Sequence, residues 1–132
     1  MTTPPNKALL GARGERIAQA AYQKRGFKII ATNFRNKRGK QIGEIDFVAS
    51  KDDLLVFVEV KTRTTELSKY GSIYQAISPA KIRSTLKIIK WFNYMHGLSD
   101  QYRMRIDICF IIAKNLDKTS FSVNIITNAV TE

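Results

Sequence analysis

Hydrophobic and polar residues alternate along this chain with two periods, one near the α-helical repeat and one near two, and the switches between them mark the elements. From Ala8 to Arg25 the small and apolar residues Leu10, Gly14, Ile17, Ala18, Ala21 and Tyr22 recur at helical spacing. Gly26, placed directly after Lys24 and Arg25, supplies a stop. The sequence therefore predicts an amphipathic helix after a polar, flexible start over residues 1–7. Phe27 to Asn33 is β-rich. Arg35-Asn-Lys-Arg-Gly-Lys40 then sets four cations around a glycine and reads as a loop.

Gly43 to Ala49 and Leu54 to Arg63 are rich in Ile, Val and Phe, and Ser50-Lys-Asp-Asp53 between them has turn chemistry, so the pair predicts a β-hairpin. Leu67 to Ile77 has no clean period and reads as a loop. Ser78-Pro79 provides an N-cap and a first-turn proline for a helix to about Met95, with Ile82, Leu86, Ile89 and Phe92 on the expected core face. Trp91 is expected in the core with Phe92, and His96 as a cap at the helix C-terminus. Tyr102 to Ala113 follows as a strand whose Met104, Ile106, Ile108, Phe110 and Ile112 form one apolar face. Its other face carries Arg103, Arg105, Asp107 and Cys109, with Asp107 expected in a structural salt bridge and Cys109 as a structural thiol. Phe121 to Thr127 closes the chain as a last strand. This order predicts one α/β domain over residues 1–132, with a mixed central β-sheet flanked by helices.

Charge narrows the partner class. The 132 residues hold 22 Lys and Arg against 11 Asp and Glu, a net charge of +11, which attracts phosphate backbones or anionic lipid. The longest uncharged apolar run, Ile108 to Ala113, is far short of the ~20 residues that span a bilayer. No membrane association is expected, and the polar N-terminus predicts a cytoplasmic protein. Nucleic acid is the expected partner. Arg35, Lys37, Arg38 and Lys40 in the loop, Arg63 at the end of the hairpin, and the stripe Arg83, Lys87 and Lys90 on the second helix are the expected phosphate contacts. One cysteine and one histidine exclude an internal disulfide and a soft zinc-type site, so any metal would be a hard cation on carboxylate oxygens.

Such carboxylates occur in Gly43-Glu-Ile-Asp46 and Val56-Phe-Val-Glu59-Val-Lys61-Thr-Arg63. A turn centred on Asp52-Asp53 pairs residues whose numbers sum to 105, which sets Asp46 opposite Glu59 and Glu44 opposite Lys61. Two facing carboxylates repel, and a divalent cation removes the repulsion. Mg²⁺ (or Mn²⁺) suits the pair, since it takes only one or two protein carboxylates and fills its shell with water and phosphate. Lys61 on the same face would orient or deprotonate the attacking water. Glu44 is a second-tier candidate. The competing reading makes Asp46, Glu59 and Lys61 a structural ion-pair network.

Glu15 on the first helix, Gly43-Glu-Ile-Asp46, Phe57-Val-Glu59-Val-Lys61-Thr-Arg63 and Arg105-Ile-Asp107 together resemble the YraN-like bacterial family within the PD-(D/E)xK nuclease superfamily. The resemblance covers about Leu10 to Phe110, and the superfamily's proline before the aspartate is Ile45 here. It implies a restriction-endonuclease-like core, a metal-dependent endonuclease acting on DNA rather than RNA, and Asp46, Glu59 and Lys61 as metal and catalytic residues. The chain order is also similar to that of Holliday-junction resolvases, which place a further acid on the first helix, and Glu15 matches that role. Its simpler role is an acid near the helix start that complements the dipole. A resolvase-like role would favour a homodimer whose two-fold axis matches two scissile strands. The rival to an enzyme is a catalytically silent nucleic-acid-binding module in a DNA-processing assembly.

Overall fold

Helix α1 (Lys7–Lys24) buries Gly14, Ala18 and Tyr22, spaced by four, against the sheet, leaves Arg13, Arg16 and Lys24 exposed and holds Glu15 half-buried. It ends where Gly26 takes φ +89°, a left-handed conformation that favours glycine, and the Phe27 N–H returns to the Tyr22 carbonyl. This computed structural model describes residues 7–35, 44–64, 78–97, 102–114 and 120–127. The expected start over residues 1–6, the loop cations from Lys37 to Lys40 and the segment 67–77 lie outside them.

Strands β1 (Lys28–Arg35), β2 (Glu44–Lys51) and β3 (Leu54–Arg63) form an antiparallel meander. Helix α2 (Pro79–His96) then crosses over to β4 (Arg103–Ala113), which lies parallel to β3, and β5 (Phe121–Ile126) returns antiparallel to β4. The described residues thus form a mixed five-stranded sheet, ordered β1-β2-β3-β4-β5, with two helices: an α/β fold with a restriction-endonuclease-like core.

Each helix covers one face. Ala18 and Tyr22 of α1 pack on Phe47, Ala49, Val56, Val58, Cys109 and Ile111, while Ile88, Ile89 and Phe92 of α2 pack on Val48, Leu55, Phe57 and Ile106. The central strand β3 is therefore buried on both sides, and Leu55, Val56, Phe57 and Val58 are all inaccessible to water. Truncating one of these residues, Phe57 for instance, would cost about 3–5 kcal/mol.

The caps of α2 follow the sequence reading. Ser78 Oγ accepts the Lys81 N–H, Pro79 opens the first turn, His96 Nδ1 lies 3.0 Å from the Phe92 carbonyl, and Gly97 closes the helix in the left-handed conformation. Its core face differs from the expected one. Thr85, Ile88, Ile89 and Phe92 are buried, whereas Leu86 is 38% exposed. Thr85 can turn inward because its hydroxyl donates to the Lys81 carbonyl and leaves the methyl for packing. Trp91, expected in the core, is half-buried and stacks on Tyr94.

One irregularity matters for the site. Ala31 and Phe34 both face α2, as do their partners Val48 and Ile45, although each pair of residues is three apart and strict alternation would put them on opposite faces. The break falls at Asn33 and Asp46, and Asn33 has φ +51°, a conformation asparagine tolerates better than most residues.

Candidate functional site

From Lys51↔Leu54 to Phe47↔Val58 the hairpin has the predicted register, every pair summing to 105, but the ladder ends there: the expected pairs Asp46 opposite Glu59 and Glu44 opposite Lys61 are not formed, because alternation breaks at Asp46. At the phase break just beyond, the Asp46 carboxylate accepts the Val60 N–H at 2.6 Å and is only 8% exposed. Burial pushes the Asp46 carboxyl up to about 7; the Val60 hydrogen bond opposes the rise, and the charges of Glu59, Glu15 and Glu44 add to it. Four acidic side chains thus act on one another here, and ionising Asp46 among the other three is disfavoured.

Glu15 reaches this point from α1. Burial holds its carboxyl above the usual glutamate range, with the neighbouring Asp46 carboxyl opposing the rise and the charge of Glu44 adding to it. Gly14 makes the approach possible, because a Cβ there would collide with Thr62 Oγ1 of β3. The expected dipole role does not hold for Glu15: α1 begins at Lys7, its first turn carries no acid, and Glu15 lies beyond that turn.

Glu59 leans the other way. Its Oε1 is 3.2 Å from Lys61 Nζ and 3.1 Å from Lys81 Nζ at the start of α2, while its buried Oε2 has no hydrogen-bond partner among the described residues. Asp46 and Glu59 thus belong to one charge cluster, with Asp46 held toward α1 and Glu59 toward α2. Among the described residues no three carboxylate, histidine or cysteine side chains converge on one ion position. Beside the cluster, Leu10, Gly11 and Glu15 of α1, the end of β3 from Val60 to Arg63 and the following Thr64 line a cavity of about 610 Å³.

The remaining candidates are dispersed. Arg63 donates to the Thr62 carbonyl at 2.9 Å. Arg83, Lys87 and Lys90 are exposed along α2, and Arg35 ends β1 opposite Glu44. Asp107 is fully buried and structural, as expected: Arg105 grips it with bonds of 2.8 and 2.9 Å, and Tyr22 Oη donates to it at 2.6 Å. Burial pushes the Cys109 thiol up to about 12, which leaves it inert. Sequence reasoning missed Lys81 and the Tyr22 hydroxyl. Both are contacts across more than twenty residues, for which a single sequence carries no local signal.

Comparison with known proteins places these residues in context. Residues 14–111 match the family described as "Uncharacterised protein family UPF0102". A UPF0102 protein of Caldanaerobacter subterraneus subsp. tengcongensis is 36% identical over 124 residues, covering 94% of this chain and 96% of its own. One from Chlorobium phaeobacteroides is 34% identical over 116 residues, covering 88% and 84%. The matched region takes in Glu15, both strands of the acidic cluster and Asp107, and the relatives span almost the whole chain. This protein therefore belongs to the UPF0102 family, the YraN-like family whose motifs its sequence resembles.

Proposed function

We propose that the protein binds nucleic acid and hydrolyses phosphodiester bonds in DNA with the aid of a divalent cation. The observation that carries this reading is Asp46, a buried carboxyl pushed up to about 7 beside Glu15, Glu44 and Glu59, in a chain of net charge +11. Such a cluster is costly for the fold on its own and gains from a cation.

Asp46 and Glu59 would hold the ion once their side chains turn toward one another from the α1 and α2 sides, and Glu59 Oε2, without a hydrogen-bond partner among the described residues, is the oxygen suited to it. Two protein carboxylates suffice for Mg²⁺. When bound, the ion would supply charge neutralisation and polarisation of the scissile phosphate. Ion binding would favour the ionised Asp46 carboxylate, its proton passing to water, with Glu15 beside it. Lys61 Nζ, released from part of its contact with Glu59, orients the attacking water and donates to a phosphate oxygen. Arg63, on the wall of the adjoining cavity, steadies the neighbouring phosphate.

A second reading has its own observation. Glu59 Oε1 is already neutralised by two lysines, Lys61 and Lys81, which fits a silent binding module that retains the fold without cleavage. Incubation with branched and linear DNAs plus Mg²⁺ or Mn²⁺, with Lys61→Ala as control, separates the two. Cleavage lost in Lys61→Ala supports the enzyme. Salt-sensitive binding with no cleavage on any substrate supports the module.

A further inference from the structure

The outer face of α2 takes no part in the carboxylate cluster, yet it is not an ordinary solvated helix surface. Arg83, Lys87, Lys90 and Tyr94 follow one another at spacings of three and four, and Trp91 lies four after Lys87 and three before Tyr94, so the five form one patch opposite the buried Thr85, Ile88, Ile89 and Phe92. The three cations are exposed, Tyr94 is 78% exposed, and its ring stacks on Trp91 with centroids 5.9 Å apart and planes at 24°. The helix contains no acidic residue. A field of one sign therefore surrounds a planar aromatic surface.

We infer that this face binds single-stranded nucleic acid, with unpaired bases stacking on the Tyr94–Trp91 pair and Arg83, Lys87 and Lys90 holding the phosphates. One ligand satisfies both features of the patch: phosphates answer the cations, and base faces answer the rings. Duplex bases have their faces covered by their neighbours and offer nothing to Tyr94. A second copy of this chain is disfavoured, because a two-fold contact through α2 would set Lys87 and Lys90 against their own counterparts. From Arg83 to Tyr94 the patch runs about 16 Å along the helix, the reach of a short stretch of nucleotides. The inference rests on the nucleic-acid reading above and specifies which strand form that reading takes.

Trp91 is the single tryptophan of the chain and reports directly on the patch. Its fluorescence is followed in EDTA and low salt while the protein is titrated with an oligothymidine and, separately, with a blunt duplex of equal length. The expected result is quenching by the single strand, with tighter binding than to the duplex. Tyr94→Ala should weaken single-strand binding about tenfold and leave duplex binding unchanged. Replacing Lys87 and Lys90 by Ala should lower the salt slope by about 1.4. Single-strand binding that leaves Trp91 emission unchanged, or that ignores Tyr94→Ala, overturns the platform while the nucleic-acid reading stands. Absence of all binding in low salt overturns both. Self-association abolished by Tyr94→Ala would make the face a protein interface and overturn the inference.

Discussion

Replacing Asp46 by Asn tests whether the acidic cluster is a strained functional site or a structural network. In the folded protein the Asp46 carboxyl stands at about 7, against an ordinary aspartate value of 3.8. The folded state therefore holds a proton that the unfolded chain has released, and this group makes stability fall as pH rises from about 4 through about 7. At ~1.4 kcal/mol per pH unit, linkage sets the loss between pH 5 and pH 8 at no more than about 2.5 kcal/mol. Asn cannot ionise, yet its Oδ1 can still accept the Val60 N–H that Asp46 accepts at 2.6 Å. Because the Glu15 carboxyl is also held above its ordinary range, part of the pH dependence survives the substitution. We expect Asp46→Asn to gain about 1–2 kcal/mol relative to wild type on going from pH 5 to pH 8 without metal. Urea unfolding in EDTA at both pH values measures the difference. A structural network predicts the reverse, a loss of about 3–5 kcal/mol at pH 8 from a broken buried pair, and that outcome would refute the strained-site account. Addition of Mg²⁺ should raise the melting temperature of wild type alone.

Gly14→Ala should lower stability by about 1–2 kcal/mol, since the new methyl meets Thr62 Oγ1, and the loss should shrink in a Thr62→Ala background, where only the residue 62 Cβ still presses on it; melting curves of the four proteins decide. Asp107→Asn should cost about 3–5 kcal/mol by leaving Arg105 without its charge partner, and Tyr22→Phe about 1.5–3 kcal/mol, both read by urea unfolding at pH 7. Changing Lys37, Arg38 and Lys40 to Glu should weaken binding to all DNA sequences alike, and unchanged affinity in a low-salt gel-shift assay would remove that loop from the interface.

The parts of the fold visible in the sequence are those decided by neighbours along the chain. Ser78-Pro79, His96 and Gly97 mark the ends of α2 because capping is chemistry within one turn. The hairpin register followed from Asp52-Asp53 because a tight turn fixes every pair behind it. Legibility fails where distant chain decides. The face of α2 came out wrong at Leu86 because Thr85 hides its hydroxyl in its own helix, so a polar residue took the inner position. The phase break at Asn33 and Asp46 was invisible because a period-two reading assumes that alternation continues. For the acidic cluster, the motifs named Glu15, Asp46, Glu59 and Lys61, but the register that set Asp46 opposite Glu59 holds only as far as Phe47↔Val58. What the register could not show is that Glu59 turns to Lys81 of α2 while Asp46 turns to Glu15 of α1.

The parallel pairing of β3 and β4 also sets an order of events in folding. Leu54 meets Arg103 forty-nine positions away, whereas the β2–β3 ladder closes across a two-residue turn. Short loops close first, so the meander forms early and β4 can dock only after the long intervening segment, with α2 inside it, has closed its loop. Until then one edge of β3, whose Leu55 to Val58 are wholly buried in the finished sheet, stands open to pairing with another molecule. Net charge of the same sign on every copy keeps nascent chains apart during that interval. The basicity that would draw the finished protein to phosphates thus also protects its slowest folding step.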